Sequence, residues 1–163
     1  QAVEYKNDPV WIEGSGEAIS HINMSQMEDM TMTSAHLSSK RAYEIAGMGP
    51  KDMEMAMLYD SFTYTAGVTA EMVGLAPRGE GTNLWKNGLA SPKGKFPINT
   101  NGGGLSYSHS GMYGMLLLVE AQRQLAGKAS GLEGRQTTAK SAIVNGTGGP
   151  LASTGTIILT VDR

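Results

Sequence analysis

The segment between Gly111 and Gly127 contains an apolar run that constrains the fold more than any other part of the sequence. Residues 115–119 read Met-Leu-Leu-Leu-Val, so a helix through them is apolar around its whole circumference. Such a helix is buried on all sides, whereas a single β-sheet covers only one side of it. We therefore expect a second layer, from this chain or from another, to pack on the far side of a helix over residues 112–126.

The rest of the chain alternates between segments with strand patterns and segments with helix patterns. Strands are predicted at residues 10–20, 53–59, 96–100, 139–144 and 154–161, and helices at residues 34–47, 65–75 and 112–126. The order βαβαβαββ indicates an α/β domain whose five strands form a mostly parallel sheet with an antiparallel edge. Residues 145–150 suit an antiparallel hairpin between the last two strands.

Composition and charge exclude several classes of function. The chain has no cysteine, which excludes disulfides, zinc–thiolate sites, iron–sulfur clusters and a cysteine nucleophile from within it. A net charge of -2 without a basic stripe argues against nucleic acid as a partner. His21 and His36 lack ligand spacing, so no metal site is predicted. The longest apolar run is too short to span a bilayer, and we expect a soluble, cytoplasmic domain.

Polar residues and glycines follow three of the predicted strands, at residues 59–62, 101–111 and 145–149. Loops at the carboxyl ends of strands form the binding crevice of α/β sheets, and exposed backbone N–H groups there can stabilise an oxyanion. His109 could polarise a carbonyl or move a proton, or could simply satisfy local backbone groups. Tyr59 could donate a proton, or could pack half-buried with a wet hydroxyl. Walker-type and dinucleotide-binding glycine motifs are absent.

The same three segments carry motifs that occur together in one protein family. They read Tyr-Asp-Ser-Phe at residues 59–62, Asn-Thr-Asn-Gly-Gly-Gly at residues 99–104 continuing to His-Ser-Gly-Met at residues 109–112, and Asn-Gly-Thr-Gly-Gly at residues 145–149. In this order they resemble the C-terminal half of a thiolase of the sterol-carrier or lipid-transfer type, similar to acetyl-CoA acetyltransferases. Residues 118–125, Leu-Val-Glu-Ala-Gln-Arg-Gln-Leu, strengthen the resemblance, which covers most of the chain.

The resemblance implies that residues 1–163 are the C-terminal domain of a two-half enzyme, either as a fragment or as a separate subunit. Each half would be a five-stranded mixed sheet flanked by helices, with one helix from each half between the sheets. The enzyme would act on acyl-CoA thioesters, by acyl transfer or by thiolytic cleavage of β-ketoacyl-CoA. Coenzyme A thioester would be the substrate, with no bound cofactor. The N-terminal half, which supplies the nucleophilic cysteine, and further copies of the protein are the implied partners.

Roles for individual residues also come from the resemblance. His109 would help to activate the cysteine and would bind the thioester oxygen in an oxyanion hole. The implied substrate-binding positions are Asp60, Ser61, Gly103, Gly104, Asn145 and Gly146. On its own, this chain is expected to be inactive.

Four positions depart from the family pattern. Tyr59 stands where a histidine is common, Ser61 replaces a cysteine, Ser110 replaces a proline, and Asn145 occupies a loop that often offers a cysteine or histidine. Because an asparagine transfers no protons, thiolysis by two cysteines is in doubt. Tyr59 indicates an alternative, since some relatives in steroid degradation are retro-aldol lyases that use tyrosine, often with a small zinc-ribbon and OB-fold partner protein. A third hypothesis is a non-catalytic lipid-binding or assembly domain.

Overall fold

The structure, a computed structural model, describes residues 9–107, 109, 111–129 and 134–161. Its strands are β1 (Trp11–Ile19), β2 (Met55–Leu58), β3 (Ser141–Gly148) and β4 (Ser153–Thr160), and its helices are α1 (Ala35–Ala46), α2 (Thr63–Met72) and α3 (Tyr113–Leu125). Short 3₁₀ segments lie at Met24–Gln26, Pro50–Asp52 and Gly81–Gly88. The α/β class is confirmed, and α1 ends as predicted at Gly47, whose φ is 64°.

The sheet is mixed, with the strand order β1-β4-β3-β2. Strands β3 and β4 form the expected antiparallel hairpin, and β1 also pairs with β4 in antiparallel orientation. Only β2 and β3 are parallel. The expectation of a mostly parallel sheet is therefore wrong, because β1 adds to the outer edge of a hairpin instead of beside β2.

Within the described residues the sheet has four strands, so the prediction of five was wrong. The missing strand is the segment 96–100, which makes a single bridge between Ile98 and Ala56 of β2. Asn99 ends the pairing, because its backbone turns into the left-handed region with φ of 49°. Its side chain then binds Leu58, with Oδ1 accepting from the backbone N–H at 2.7 Å and Nδ2 donating to the carbonyl at 2.8 Å. A side-chain amide thus takes the place of the next strand residue.

Helices cover both faces of the sheet, and the side chains of β2 alternate between the two faces. Ala56 and Leu58 pack in the core on the side of α1 and α2. Met55 and Met57 alternate with them and pack in the core on the side of α3. This is the two-face burial expected from a short strand whose residues are all apolar.

The outer side of α3 is open in the described part of the chain. Leu117 is buried against the sheet, whereas Met115, Leu116 and Val119 are 57%, 41% and 42% exposed. The described residues therefore do not bury α3 on all sides, and the layer that covers its outer side remains a prediction. No described helix has the length and apolar character that crossing a membrane requires.

Candidate active site

The candidate site lies where β2 ends, on the side of the sheet that carries α3. The ring of Tyr59, the first residue after β2, meets the ring of Tyr113 edge-on, with centroids 5.2 Å apart. It also meets the ring of His109 at 5.8 Å, with an interplanar angle of 81°. The structure thus brings together Tyr59 and His109, which the sequence places 50 positions apart.

His109 itself is exposed and lies just before α3. Phe62 approaches it from the segment before α2, with ring centroids 6.4 Å apart. Gly111 and Met112 follow in the left-handed conformation, with φ of 63° and 60°, and turn the chain into the first residue of α3, Tyr113. The imidazole is therefore accessible to a reactant, and the rings of Tyr59 and Phe62 lie beside it.

Asp60 is almost completely buried and fixes the glycine turn. Its carboxylate accepts hydrogen bonds from the backbone N–H groups of Gly104 at 2.8 Å and Leu105 at 3.3 Å. Gly103 has a φ of 73°, and a Cβ at this position would lie 2.0 Å from Asp60 Oδ2. The N–H of Gly103 bonds Asn101 Oδ1 at 3.0 Å. In this conformation the N–H groups of Gly103 and Gly104 hold the turn and are not free to bind an oxyanion.

A buried polar network anchors the other end of the same turn. Thr100 donates to Glu120 Oε1 of α3 at 2.7 Å, and Gln124 Nε2 donates to the same oxygen at 2.9 Å. The guanidinium of Arg135 pairs with the Glu120 carboxylate. Sequence reasoning missed this network. Its signal was the pair Glu120 and Gln124, which lie four residues apart and therefore on the same side of the helix.

Ser61 and Asn145 do not join His109. The Ser61 hydroxyl lies 2.9 Å from the hydroxyl of Thr65, in the first turn of α2. Asn145 lies inside β3, which extends to Gly148, so the predicted loop begins later than expected. Its side chain is completely buried and donates to Thr156 Oγ1 at 2.7 Å. Thr156 in turn bonds Ser38 of α1, so the Asn145 side chain lies on the opposite face of the sheet from Tyr59.

Gly146, by contrast, faces α3. A Cβ on it would lie 3.4 Å from the Cα of Gly114 in the first turn of that helix. The two glycines therefore let α3 begin close against β3, directly behind Tyr113. The substrate-binding role predicted for Gly146 stays a prediction.

Tyr113 is a residue of the site that sequence reasoning missed. Its side chain is completely buried, and its hydroxyl lies near Asp60 and Tyr107. Burial, together with the negative charge of Asp60, raises the pKa of Tyr113 well above its ordinary value. The hydroxyl therefore stays protonated at physiological pH. Its distance from His109 in sequence, four residues, was the available signal.

Two further sequence predictions concern the surroundings of the site. Ser110, which departs from the family pattern, lies outside the described residues. Across the part of the chain that the structure describes, no three His, Asp or Glu side chains are grouped so that they could hold a metal ion.

One known protein family matches this chain. The family model described as thiolase C-terminal domain-like matches residues 16–161, which is most of the chain. This chain belongs to that family. The resemblance inferred from the three loops is therefore confirmed.

Relatives of this thiolase-like domain include proteins with different activities. An acetyl-CoA acetyltransferase of Methanothermobacter thermautotrophicus is 28% identical over 155 residues, which are 93% of this chain and 40% of the relative. Sterol carrier protein 2 of Bos taurus is 36% identical over 93 residues, 56% of this chain and 17% of the relative. The solved Ltp2-ChsH2(DUF35) aldolase has a TM-score of 0.82 at 26% identity and covers 96% of this chain. This chain spans 41% of that structure, so it matches less than half the length of each of these relatives.

Proposed function

We propose that this chain is the C-terminal domain of a thiolase-like enzyme that acts on acyl-CoA thioesters, by acyl transfer or by thiolytic cleavage of β-ketoacyl-CoA. The observation that carries the proposal is the exposed His109 beside Tyr59 at the start of α3, in a domain of this family. An acetyl-CoA acetyltransferase among its relatives supports the same reaction class.

In acyl transfer a thiolate attacks the thioester carbonyl carbon, the acyl–sulfur bond breaks, and coenzyme A leaves as a thiolate that takes up a proton. In thiolytic cleavage the thiolate attacks the β-keto carbonyl carbon, the Cα–Cβ bond breaks, and the enolate of the released acyl-CoA takes up a proton. Free coenzyme A then accepts the acyl group from the sulfur. His109 is suited to donate a hydrogen bond to the carbonyl oxygen, where negative charge develops. The thiol must come from outside these residues, since the chain has no cysteine. We assign it to an N-terminal half that packs on the open side of α3, against Met115, Leu116 and Val119.

A second candidate is retro-aldol cleavage of a β-hydroxyacyl-CoA, and two observations favour it. The ring of Tyr59 lies next to the exposed His109 and against the buried Tyr113, so the site offers a phenol and an imidazole to a reactant. In addition, one relative is an aldolase. Here the phenolate form of Tyr59 would accept the hydroxyl proton and the Cα–Cβ bond would break. The products would be a ketone or aldehyde and the enolate of the shortened acyl-CoA, which takes up a proton. His109 would bind the enolate oxygen.

Partners are proposed on the same basis. The name of the solved Ltp2-ChsH2(DUF35) aldolase pairs two proteins, which supports a small accessory protein, of the zinc-ribbon and OB-fold kind, for the retro-aldol candidate. Further copies of the enzyme would complete a homo-oligomer. A non-catalytic lipid-binding or assembly role is the third candidate, supported by a sterol carrier protein among the relatives.

The deciding assay uses the protein that contains this chain together with its N-terminal half. It is given a β-ketoacyl-CoA with free coenzyme A, and separately a β-hydroxyacyl-CoA without coenzyme A. Thiolysis predicts product only from the first mixture, and product only from the second would replace it with aldol cleavage. His109→Ala should lower turnover of the productive substrate by roughly 100-fold or more, the effect of removing one oxyanion donor. Unchanged turnover would mean that His109 takes no part in the reaction, as the non-catalytic role of this domain predicts.

A further inference from the structure

His109 lies in a segment whose two ends are joined by a hydrogen bond. The segment begins at Thr100 and ends where α3 starts at Tyr113. The Thr100 hydroxyl donates to Glu120 Oε1, about two turns into α3, at 2.7 Å. Both side chains are buried, so water does not compete for this bond. The bond therefore sets where α3 begins relative to the start of the segment that carries His109.

The neighbouring residue Asn99 joins the same segment to the end of β2, which Tyr59 follows. Its side-chain amide bonds both the N–H and the carbonyl of Leu58, the residue before Tyr59. Asn99 and Thr100 thus connect the end of β2 on one side with α3 on the other. Movement of α3 relative to Thr100 therefore changes the separation between the rings of Tyr59 and His109, which is 5.8 Å.

The acceptor of the Thr100 bond is held independently of Thr100. Arg135 pairs with the Glu120 carboxylate. Gln124 Nε2 donates to Glu120 Oε1 at 2.9 Å and to Thr100 Oγ1 at 3.0 Å. The N–H of Thr137 donates to Gln124 Oε1 at 2.9 Å, which orients the amide. Removal of the Thr100 hydroxyl therefore releases the segment from α3 but leaves the carboxylate paired with Arg135.

We propose that Thr100 is a positioning residue of this site, which fixes the imidazole of His109 relative to the phenol of Tyr59 through its hydrogen bond to Glu120. The proposal rests on the proposed function and applies to both candidate reactions, because each uses His109 to bind an oxygen that gains negative charge. A buried ion pair contributes little net stability, since the loss of water offsets the attraction between the charges. Hydrogen bonds are directional, however, so the buried carboxylate gives Thr100 a fixed acceptor where apolar packing would give only contact.

Turnover of the protein that contains this chain together with its N-terminal half provides the first test. Thr100→Val keeps the shape of the side chain but removes the hydroxyl. It should lower kcat roughly tenfold or more, because a displacement of about 1 Å at a reacting group costs up to about 100-fold. KM should stay within about twofold, since the variant alters no group that binds the substrate directly. Thr100→Ser keeps the hydroxyl and should restore kcat to within about threefold of the unmodified protein.

Thr154→Val is the matched control for the loss of a buried hydroxyl. Thr100 and Thr154 are 6% and 5% exposed, and the Thr154 hydroxyl lies 2.8 Å from that of Ser38, on the α1 side of the sheet. The control should lose stability to urea, as Thr100→Val does, but keep its kcat. An unchanged kcat in Thr100→Val, or an equal fall in Thr100→Ser or Thr154→Val, would overturn the proposal.

The position of His109 is also measurable on this chain without any substrate. The ring current of Tyr59 shifts the NMR signals of the imidazole protons of His109, which are assigned by their loss in His109→Gln. Thr100→Val should move these signals, whereas Thr100→Ser and Thr154→Val should leave them in place. Signals that stay in place in Thr100→Val would refute the positioning role. Signals that move as expected, in a protein that turns over neither acyl-CoA mixture, would uphold the positioning of His109 and refute the proposed function instead.

Discussion

Replacing Gly103 by alanine tests whether Asp60 holds the glycine turn. The new Cβ would lie 2.0 Å from Asp60 Oδ2 and 2.8 Å from its Cγ, closer than any tolerated contact. Asp60 is 3% exposed and its carboxylate accepts from the N–H groups of Gly104 and Leu105, so moving it away from the new Cβ breaks these hydrogen bonds. Either the carboxylate leaves the N–H groups of Gly104 and Leu105 or the turn itself shifts.

The expected loss of stability has two parts. An alanine at the φ of 73° observed for Gly103 costs roughly 1–2 kcal/mol. Each hydrogen bond from an N–H to the buried carboxylate contributes about 1.5–3 kcal/mol. Loss of one bond together with the backbone cost lowers the free energy of unfolding by about 3 kcal/mol, and loss of both bonds lowers it further. This is a large share of the roughly 5–15 kcal/mol that stabilises a domain.

Gly79→Ala is the matched control, because Gly79 has a φ of 82° and no atom within 4 Å of its would-be Cβ. It should show the backbone cost alone. Urea unfolding followed by circular dichroism measures both variants on the same chain. If Gly103→Ala is no less stable than Gly79→Ala, then Asp60 does not occupy the position assigned to it and the account of the turn is wrong.

Two further predictions concern buried groups. Arg135→Met leaves the Glu120 carboxylate, which is 3% exposed, without its cation and should lower the free energy of unfolding by about 3 kcal/mol. Arg78→Met breaks the exposed ion pair with Asp29 and should cause no resolvable change in urea unfolding. The pKa of Tyr113 is raised in the folded chain, so the unfolded chain loses the tyrosine proton first as the pH increases. The free energy of unfolding should therefore fall above about pH 10, by at most about 1.4 kcal/mol per pH unit for this group. Tyr113→Phe should make that fall less steep, and an unchanged slope between about pH 9 and pH 11 would show that the hydroxyl titrates normally.

Local patterns predicted the elements whose ends are set by nearby residues. Helix α1 ends at Gly47 because a left-handed residue closes it, and the final hairpin forms because two apolar strands flank a glycine-rich turn. The fifth strand failed for a nonlocal reason. Whether residues 96–100 pair along β2 depends on the Asn99 side chain, which replaces backbone hydrogen bonds to Leu58, 41 positions away.

The site shows the same division between local and nonlocal information. The family motifs predicted that Tyr59 and His109 lie in one region, and the structure places their rings 5.8 Å apart. It could not give the face on which a side chain lies. Successive side chains of a strand lie on opposite faces of the sheet. Because β3 continues past Asn145 to Gly148, the side chain of Asn145 lies on the face that packs against α1. Tyr113 was missed because, in the sequence, a tyrosine at a helix start is not distinguishable from ordinary packing.

The glycine turn and His109 are the two parts of the candidate site, and this chain holds the first more firmly than the second. The glycine turn is fixed by Asp60 at one end and by Glu120 through Thr100 at the other. His109, in contrast, is exposed and lies on the same stretch of chain as the open face of α3. We expect a surface that covers this face to reach His109 as well and to remove water from around it. Because a hydrogen bond to a developing oxyanion is stronger where water is excluded, we expect the imidazole to reach its full effect only when α3 is covered.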